Sequence, residues 1–319
     1  MCFGVFLLHY MPFGRQSFMV PLTMSDKSCL LIAMQKLFTS LSFVLICSII
    51  VAQDGSADTS STHSGLRLRA IAELGYLGVM DHQVQFSQTG TNFNYKTDGG
   101  QDVLFPFSRY TIELDFKDRN TFVFLYQPLR LESTVLLDED LVVDELTFPA
   151  NTSVDLLYNF PFYRFSYLRE VLPNSEKFGL AIGGSIQIRN ATISFESTDG
   201  TLFRTNRDVG IVPALKVRGN IQLDELFYME LEADGIYAPI SYLNGSDNET
   251  TGAILDASFR TYMRVSKPVK AFINLRYLGG GAVGTSEDDP GPGDGYVKNW
   301  LHFGTVSLGF VYEWAPDAD

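Results

Sequence analysis

The sequence is poor in the features that stabilise small secreted domains and helical proteins. It has only three cysteines, Cys2, Cys29 and Cys47, so no disulfide framework can form beyond residue 47. After residue 53, no window carries a long apolar stripe with the 3.6-residue period of a helix. A fold without disulfides or helices must be held by extensive strand pairing or by a large core.

Charge is also scarce, and basic charge is the scarcer sign. Only 19% of the residues are charged, and the formal net charge is −13. Residues 1–53 contain three basic residues and one acidic residue, so the rest of the chain carries about −15 (24 − 3 = 21 basic, 37 − 1 = 36 acidic). An acidic chain repels phosphate, which argues against a nucleic-acid partner. The 45% hydrophobic content still permits a substantial core or a membrane surface.

The N-terminal region has the pattern of a secretory signal peptide. Lys36 precedes an apolar run from Leu37 to Ala52, and Ala52 supplies the small residue expected before a cleavage site. The run has about 16 residues, whereas a membrane-spanning helix needs about 20. We therefore predict the following division: residues 1–33 an upstream extension from a mis-set start, 34–53 a signal peptide, 54–64 a flexible leader, 65–314 the folded domain, and 315–319 a short tail.

Period-two alternation dominates the region after the leader. In "RYTIELDFK", apolar Tyr110, Ile112 and Leu114 alternate with charged Arg109 and Glu113. Ten segments show this pattern, near residues 65–79, 108–117, 120–133, 152–169, 176–194, 210–222, 224–236, 253–265, 268–282 and 298–314. Their connections alternate between short turns such as "SKP" and long polar links such as 195–209.

Strand length and the layout of the connections decide whether the apolar face contacts lipid or a water-excluding core. Segments of about 10–15 residues exceed the usual soluble strand and are long enough to cross a bilayer. Short turns at one end and long loops at the other, with an even strand count, are typical of outer-membrane barrels. We predict an all-β fold: a single closed antiparallel transmembrane β-barrel of about ten strands (range eight to twelve). A soluble secreted β-sandwich is the alternative.

The last strand carries a resemblance to a known family. In "TVSLGFVYEW", Ser307, Gly309, Tyr312 and Trp314 resemble the C-terminal β-signal of bacterial outer-membrane β-barrel proteins, although the tail "APDAD" follows the final aromatic residue. The stretches "NFPFYRFSYLRE", "IQIRNATISF" and "NRDVGIVPALKVRGN" also resemble an uncharacterised group of small outer-membrane barrels. The resemblance implies a location in the bacterial outer membrane, contact with its lipid, and recognition by the barrel assembly machinery. It implies no particular activity.

Charges on the polar face are the main candidates for function. Ten strands enclose little space, so we expect a lumen filled largely by side chains. These charges could form a structural ion-pair network or line a narrow channel. The predicted lumen charges are Arg109, Glu113, Arg218, Glu230, Glu232, Arg260, Arg264 and Arg276.

Signals for catalysis and metal binding are weaker. His82 beside Asp81 begins the first long link and is the one candidate base for a surface enzyme or ligand-binding barrel. An acidic loop containing Glu287, Asp288, Asp289 and Asp294 could hold Ca²⁺ or Mg²⁺, although a solvated loop is the simpler interpretation. We expect no cofactor. Aromatic residues from Tyr158 to Tyr167 predict a belt at the bilayer interface, and Pro161 predicts an irregularity there.

Overall fold

The structure is a computed structural model that describes residues 66–117, 119–172, 175, 177–239, 249–285 and 292–314. No helix in these ranges is long and apolar enough to cross a membrane. The strands are β1 (Leu66–Phe86), β2 (Phe93–Asn94), β3 (Leu104–Phe116), β4 (Asn120–Gln127), β5 (Arg130–Leu136), β6 (Leu141–Val143), β7 (Leu146–Phe148), β8 (Ser153–Asn159), β9 (Phe162–Glu170), β10 (Phe178–Ser197), β11 (Phe203–Gln222), β12 (Phe227–Pro239), β13 (Glu249–Arg264), β14 (Val269–Thr285) and β15 (Tyr296–Trp314). The predicted upstream extension, signal peptide, leader and tail lie outside the described residues.

Ten of these strands form a closed antiparallel barrel, which confirms the predicted fold class and strand number. The ring order is β1, β3, β4, β9, β10, β11, β12, β13, β14 and β15, and β15 pairs back with β1. We call the end with the short turns, where β1 begins and β15 ends, the turn end. The opposite end is the loop end. There β2, β5 and β8 add to the sheet, and β6 pairs with β7 in a separate hairpin.

Two predicted segments are each divided by a proline. The segment 120–133 separates into β4 and β5 at Pro128, and 152–169 separates into β8 and β9 at Pro161. Proline lacks the N–H that a ladder requires, so the chain leaves the wall at both positions. Only β4 and β9 belong to the ring, while β5 and β8 extend from the loop end of β10. Several strands are also longer than predicted: the expected link 195–209 shrinks to residues 198–202 between β10 and β11.

The register around the ring defines the stagger of the barrel. We start at Gly78 of β1 and follow the paired residue on each neighbouring strand once around the ring. The path returns to β1 at Leu66, which is 12 residues from its starting point (78 − 66). The intermediate partners are Gly304, Tyr277, Ala257, Ala233, Val217, Ile182, Arg169, Asn120 and Phe116. Ten strands with this stagger tilt by about 40° and place the backbone about 10 Å from the axis. An interior of this width is narrow enough for side chains to fill most of it.

Two rings of outward aromatic residues mark an apolar band on the barrel. Corrected for the tilt, the register places five outward tyrosines at nearly one height: Tyr76, Tyr126, Tyr163, Tyr237 and Tyr277. A second ring near the turn end contains Phe116, Phe178, Phe227 and Trp314, all exposed. About nine residues separate the two rings along a strand. With the rise per residue and the tilt of the strands, this corresponds to roughly 23 Å along the barrel axis. This spacing is close to the ~25 Å apolar band of outer-membrane barrels.

The interior changes character along the axis. Toward the turn end it is mainly polar, as described below. Toward the loop end, apolar side chains from the wall pack against the first loop and the β5–β8 segment, and we call this cluster the loop-end core. Its members include Leu77, Val79, Phe93, Tyr95, Leu131, Phe148, Tyr158, Phe162, Phe195 and Phe303. The predicted aromatic belt is therefore only half correct, since Tyr163, Phe165 and Tyr167 face outward whereas Tyr158, Phe160 and Phe162 are buried.

Candidate functional site

Twelve buried charged side chains fill the interior between the two aromatic rings, and we call them the lumen network. Six are cations and six are anions, so their formal charges cancel (6 − 6 = 0). They occupy inward positions on seven wall strands, and each is at most 6% exposed. The members are Arg109, Arg164, Lys216, Arg218, Arg260 and Arg276, with Glu73, Glu113, Glu230, Glu232, Asp234 and Asp256. Buried charges require partners of this kind because desolvation is expensive.

Arg218 joins three strands from different sides of the lumen. Its Nη1 and Nη2 lie 3.2 and 2.5 Å from the two carboxylate oxygens of Glu113 on β3. Its Nε donates to Glu232 Oε2 on neighbouring β12 at 2.8 Å. The paired contact with Glu113 uses the planar fork of the guanidinium, a geometry that is both strong and directional. Arg218 therefore braces β11 against a strand four places away in the ring.

A second group centres on Asp256. Arg276 donates to it from Nε at 2.5 Å and from Nη2 at 2.9 Å, and Arg164 Nη1 lies 2.7 Å away. Arg164 Nη1 also lies 2.9 Å from Asp234 Oδ2, which accepts from Lys216 Nζ at 2.8 Å. These contacts join β9, β11, β12, β13 and β14 through shared carboxylates.

Arg109 is the cation of the network that has no ion-pair contact shorter than 3.8 Å. Its Nη1 and Nη2 lie 3.9 Å from Glu73 Oε1 and 3.8 Å from Glu232 Oε1, and Nη1 donates to Ser258 Oγ at 3.5 Å. Arg260, by contrast, contacts Glu230 Oε1 at 2.7 Å. The network thus combines tight bidentate pairs with one loosely held guanidinium.

Most predicted lumen charges lie in this network. Arg109, Glu113, Arg218, Glu230, Glu232, Arg260 and Arg276 are buried, as their inward positions on the alternating strands predict. Arg264 is the exception, since it is exposed at the turn end next to the register partner Lys270. Its place at the last residue of β13 puts it beyond the enclosed part of the lumen.

The sequence prediction missed Arg164 and Asp234 in its set of lumen charges. Arg164 lies in the aromatic stretch that we interpreted as a belt. Its alternation with outward Tyr163 and Phe165 was the signal that could have placed it inward. Asp234 follows Glu230 and Glu232 at the same period on β12.

Asp81 and His82 do not form a catalytic pair in this structure. A bulge between Val79 and Asp81 precedes them, and they then face opposite sides of β1. His82 is fully buried in the loop-end core, where Nδ1 lies 2.9 Å from Gln101 Oε1 and the ring stacks on Tyr95. Burial lowers the pKa of His82 to about 4. A neutral, inaccessible imidazole of this kind is typical of a packed core.

The residues of the predicted assembly signal have roles in the folded barrel. Ser307 faces inward and donates to Glu73 Oε2 at 3.0 Å. A Cβ at Gly309 would lie 2.2 Å from the ring of Phe272, so the close packing of this ring requires glycine. Tyr312 and Trp314 occupy outward positions on β15 near the turn end. Recognition of this motif during assembly stays a prediction.

The acidic loop is only partly described. Glu287, Asp288 and Asp289 lie outside the described residues. Asp294 accepts from the backbone N–H groups of Gln88 and Tyr296 at 2.9 and 3.0 Å, and these bonds lower its pKa. Within the described ranges, no group of three or more acidic, histidine or cysteine residues could hold a metal ion. Cation binding in this loop stays a prediction.

Comparison with solved structures finds distant similarity in fold. No protein-family model matches the sequence, and no curated protein matches it. The outer-membrane protease OmpT from Escherichia coli is 10% identical, with 82% of this chain and 100% of that chain covered at a TM-score of 0.44. Ail, the attachment invasion locus protein of Yersinia pestis, is 10% identical, with 77% and 99% covered at 0.31. A FadL homologue from Pseudomonas aeruginosa is 8% identical, with 80% and 91% covered at 0.35.

The fold is that of a bacterial outer-membrane β-barrel. Ring closure, the long tilted strands and the apolar band between two aromatic rings carry this conclusion. The three similar structures have TM-scores below 0.5, and the conclusion does not rest on them. The activities that their names describe belong to those proteins.

Proposed function

We propose that this protein is a structural barrel of the bacterial outer membrane, with a lumen closed by an ionic brace. Its turn end would face the periplasm and its loop end the outside, as in barrels with short periplasmic turns and long outer loops. The observation that carries the proposal is the lumen network: six cations and six anions, all buried and cross-linking distant strands.

A conduit would need a different lumen. Ion pathways are lined by charged side chains that face a water-filled cavity, or by protein oxygens and charged groups that replace the hydration shell of the ion. In the lumen network, every carboxylate has an arginine or lysine nitrogen within 4.0 Å. The loop-end core lies above the network with buried apolar side chains. A permeating ion would have to displace both layers.

The brace would hold the wall rigid beneath the loops at the loop end. The first loop and the β5–β8 segment pack into the loop-end core, which lies on the loop-end side of the lumen network. A wall cross-linked at membrane depth gives these loops a rigid base. We therefore infer that the barrel holds a compact cap at the cell surface.

Single-channel recording tests the brace against a narrow channel. The chain from about Asp54 would be refolded in detergent and inserted into a planar bilayer, with a heat-dependent gel shift as the control for folding. We expect the folded barrel to be silent. Stable, salt-dependent steps with a selectivity altered by Arg218→Ala, but not by exposed Arg169→Ala, would establish a conduit and overturn the proposal.

A further inference from the structure

The loop-end half of the barrel contains a cavity of about 830 Å³ that the brace does not use. It lies above the lumen network, between β10–β14 and the inner residues of the loop-end core. Much of its lining is apolar and includes Phe160, Phe162, Val212, Ile254, Leu278 and Leu301. Ligand pockets usually have volumes of about 300–1,000 Å³ and similar apolar walls. The size and the lining therefore fit a small-molecule site.

Small residues create this space on one side of the wall. The inward positions at the loop end of β14 are Gly280, Ala282 and Gly284, and Gly252 of β13 pairs with Ala282. All four line the cavity. Glycine inside a strand adds no side chain and marks close approach of a ligand or of another backbone. At Gly280 the neighbour is backbone, because a Cβ there would lie 2.2 Å from Ala253 O. The interior is thus left unfilled over several adjacent positions.

The wall beside the cavity is also split. The ladder between β11 and β12 runs from Gln222–Tyr228 to Leu215–Gly235 and ends there. In the described residues, β11 continues toward the loop end paired only with β10, and β12 continues paired only with β13. The two strands therefore diverge toward the loop end, and we call this feature the β11–β12 split.

The cavity reaches the outer surface through this split. Its lining includes inward-facing Val212 and also outward-facing Val209 and Ile211, which are 69% and 68% exposed. Residues from both faces of one strand can line a cavity only if the cavity passes around the edge of that strand. The split begins at the height of the outward tyrosine ring, near Tyr237. It therefore opens at the boundary of the apolar band.

Charge at the cavity favours an anion. Three charged residues line it, Arg189, Arg207 and Asp208, so their sum is +1 (2 − 1) in a protein whose net charge is −13. Arg189 Nη2 lies 3.5 Å from Asp208 Oδ2, and Asp208 is largely exposed. Arg189 Nε is buried and has no hydrogen-bond partner. That atom packs against Gly210, where a Cβ would lie 2.5 Å from it, so an anion would be bound by the Nη groups of Arg189, whose contact with Asp208 is long.

We propose that this cavity binds a single-chain amphiphile, with its apolar chain inside the barrel and its anionic head at Arg189. Entry occurs through the β11–β12 split at the edge of the apolar band. A free long-chain carboxylate and a single-chain phospholipid share this chemistry. The site does not depend on the brace, because a silent or a conducting lumen leaves the cavity and the split unchanged.

Fluorescence titration tests the site directly. The refolded chain in phosphatidylcholine nanodiscs would be titrated with cis-parinaric acid, a fluorescent long-chain carboxylate. We expect saturable binding at one site per barrel. Ala282→Phe fills the cavity and should weaken binding at least tenfold, while Ala271→Phe, outward on the same strand, should leave it unchanged. Val212→Phe fills the cavity from the opposite wall and serves if the first variant fails the gel-shift control.

The head group and the source are tested by competition. Arg189→Met should weaken binding of the acid about tenfold, whereas the exposed control Arg169→Met should not. Palmitate added to the water phase and 1-palmitoyl-lysophosphatidate built into the disc distinguish an aqueous from a membrane source, and displacement by either supports the site. Displacement by hexadecanol as effective as that by palmitate overturns the anionic assignment. Absence of saturable binding by a folded barrel, or unchanged binding in both cavity-filling variants, overturns the site.

Discussion

The same strands form two halves of the barrel interior with opposite polarity: one half is charged and the other is apolar. Between the aromatic rings, β1 directs Glu73 inward and Leu74 outward, whereas beyond the upper ring it directs Leu77 and Val84 inward. Lipid is as apolar as leucine, so an apolar side chain gains nothing by turning inward at membrane depth. Beyond the band the surroundings are water, and burial of apolar surface is again favourable. The membrane boundary therefore decides which side chains form the interior.

The two halves should also fail in different ways. A member of the lumen network is stabilised by directional pairs, so its removal leaves opposite charges buried without a partner. A member of the loop-end core contributes through contact area, so its removal leaves a cavity. Four substitutions or conditions test this contrast, beginning with the largest expected effect.

Loss of a shared carboxylate should have the largest effect. Asp256→Asn leaves Arg164 and Arg276 without their common anion, and we expect the free energy of unfolding to fall by about 3–5 kcal/mol. Urea unfolding in detergent, followed by tryptophan fluorescence, measures it. The matched control is Asp208→Asn, at a side chain that is 56% exposed. An equal, small effect for both variants would show that the network contributes little to stability.

Truncation of a side chain in the loop-end core should have the next largest effect on stability. Leu77 is 0% exposed, and Leu77→Ala should lower the free energy of unfolding by about 2–4 kcal/mol because a cavity remains. Leu74→Ala removes the same atoms from the same strand at a position that is 64% exposed on the lipid-facing side. We expect little loss in detergent for this control. Equal losses would contradict the division of the interior at this height.

Acid should weaken the loop-end core through His82. Its folded pKa of about 4 lies below its ordinary value of 6.5, so its contribution to stability is present above pH 6.5 and is lost as pH falls toward 4. The shift corresponds to about 3 kcal/mol. Asp81 faces the other side of the strand, and Tyr95 and Tyr158 contact the ring. Unfolding measured from pH 7.5 to 4.5 should show a slope that His82→Gln removes; an unchanged slope in the variant would refute this assignment.

Gly309→Ala should have the smallest effect of the four. The new Cβ would lie 2.2 Å from the Phe272 ring, and overpacking should cost about 1–3 kcal/mol. Gly219→Ala is the control, since its nearest neighbour would be 4.0 Å away. The effect of Gly309→Ala should be smaller in a Phe272→Leu background. The refolding yield in detergent measures this difference. If Gly309 acts only in assembly, refolding without assembly machinery will be unaffected.

Local pattern predicted the barrel well because strand alternation is a property of neighbouring residues. Arg109, Glu113, Arg218 and Arg276 could be placed inward from their own segments, and the ring confirms those positions. Pro128 and Pro161 are visible in the sequence, yet the predicted wall segments included residues 129–133 and 152–160. A proline marks a break, but it does not say that the intervening strands leave the ring.

Pairing across the lumen was beyond the reach of the sequence. Arg218 and Glu113 are 105 positions apart, and nothing local specifies that they meet. Their contact depends on the stagger of 12 residues, which is set only when β15 closes on β1. The prediction of a charged lumen was therefore sound, while the partners, and the contribution of Arg164, required the closed ring.

By itself, the sequence determined which residues alternate, how many strands form the wall and which face carries charge. These properties follow from the two-residue period of an extended chain and from the composition of each face. The tertiary structure alone decided where the charged interior ends, where the ladder between β11 and β12 stops and how much space remains beside it. Such features depend on the position of each residue along the barrel axis. That position is defined only when the ring closes with a particular stagger, so it cannot be read from a single strand.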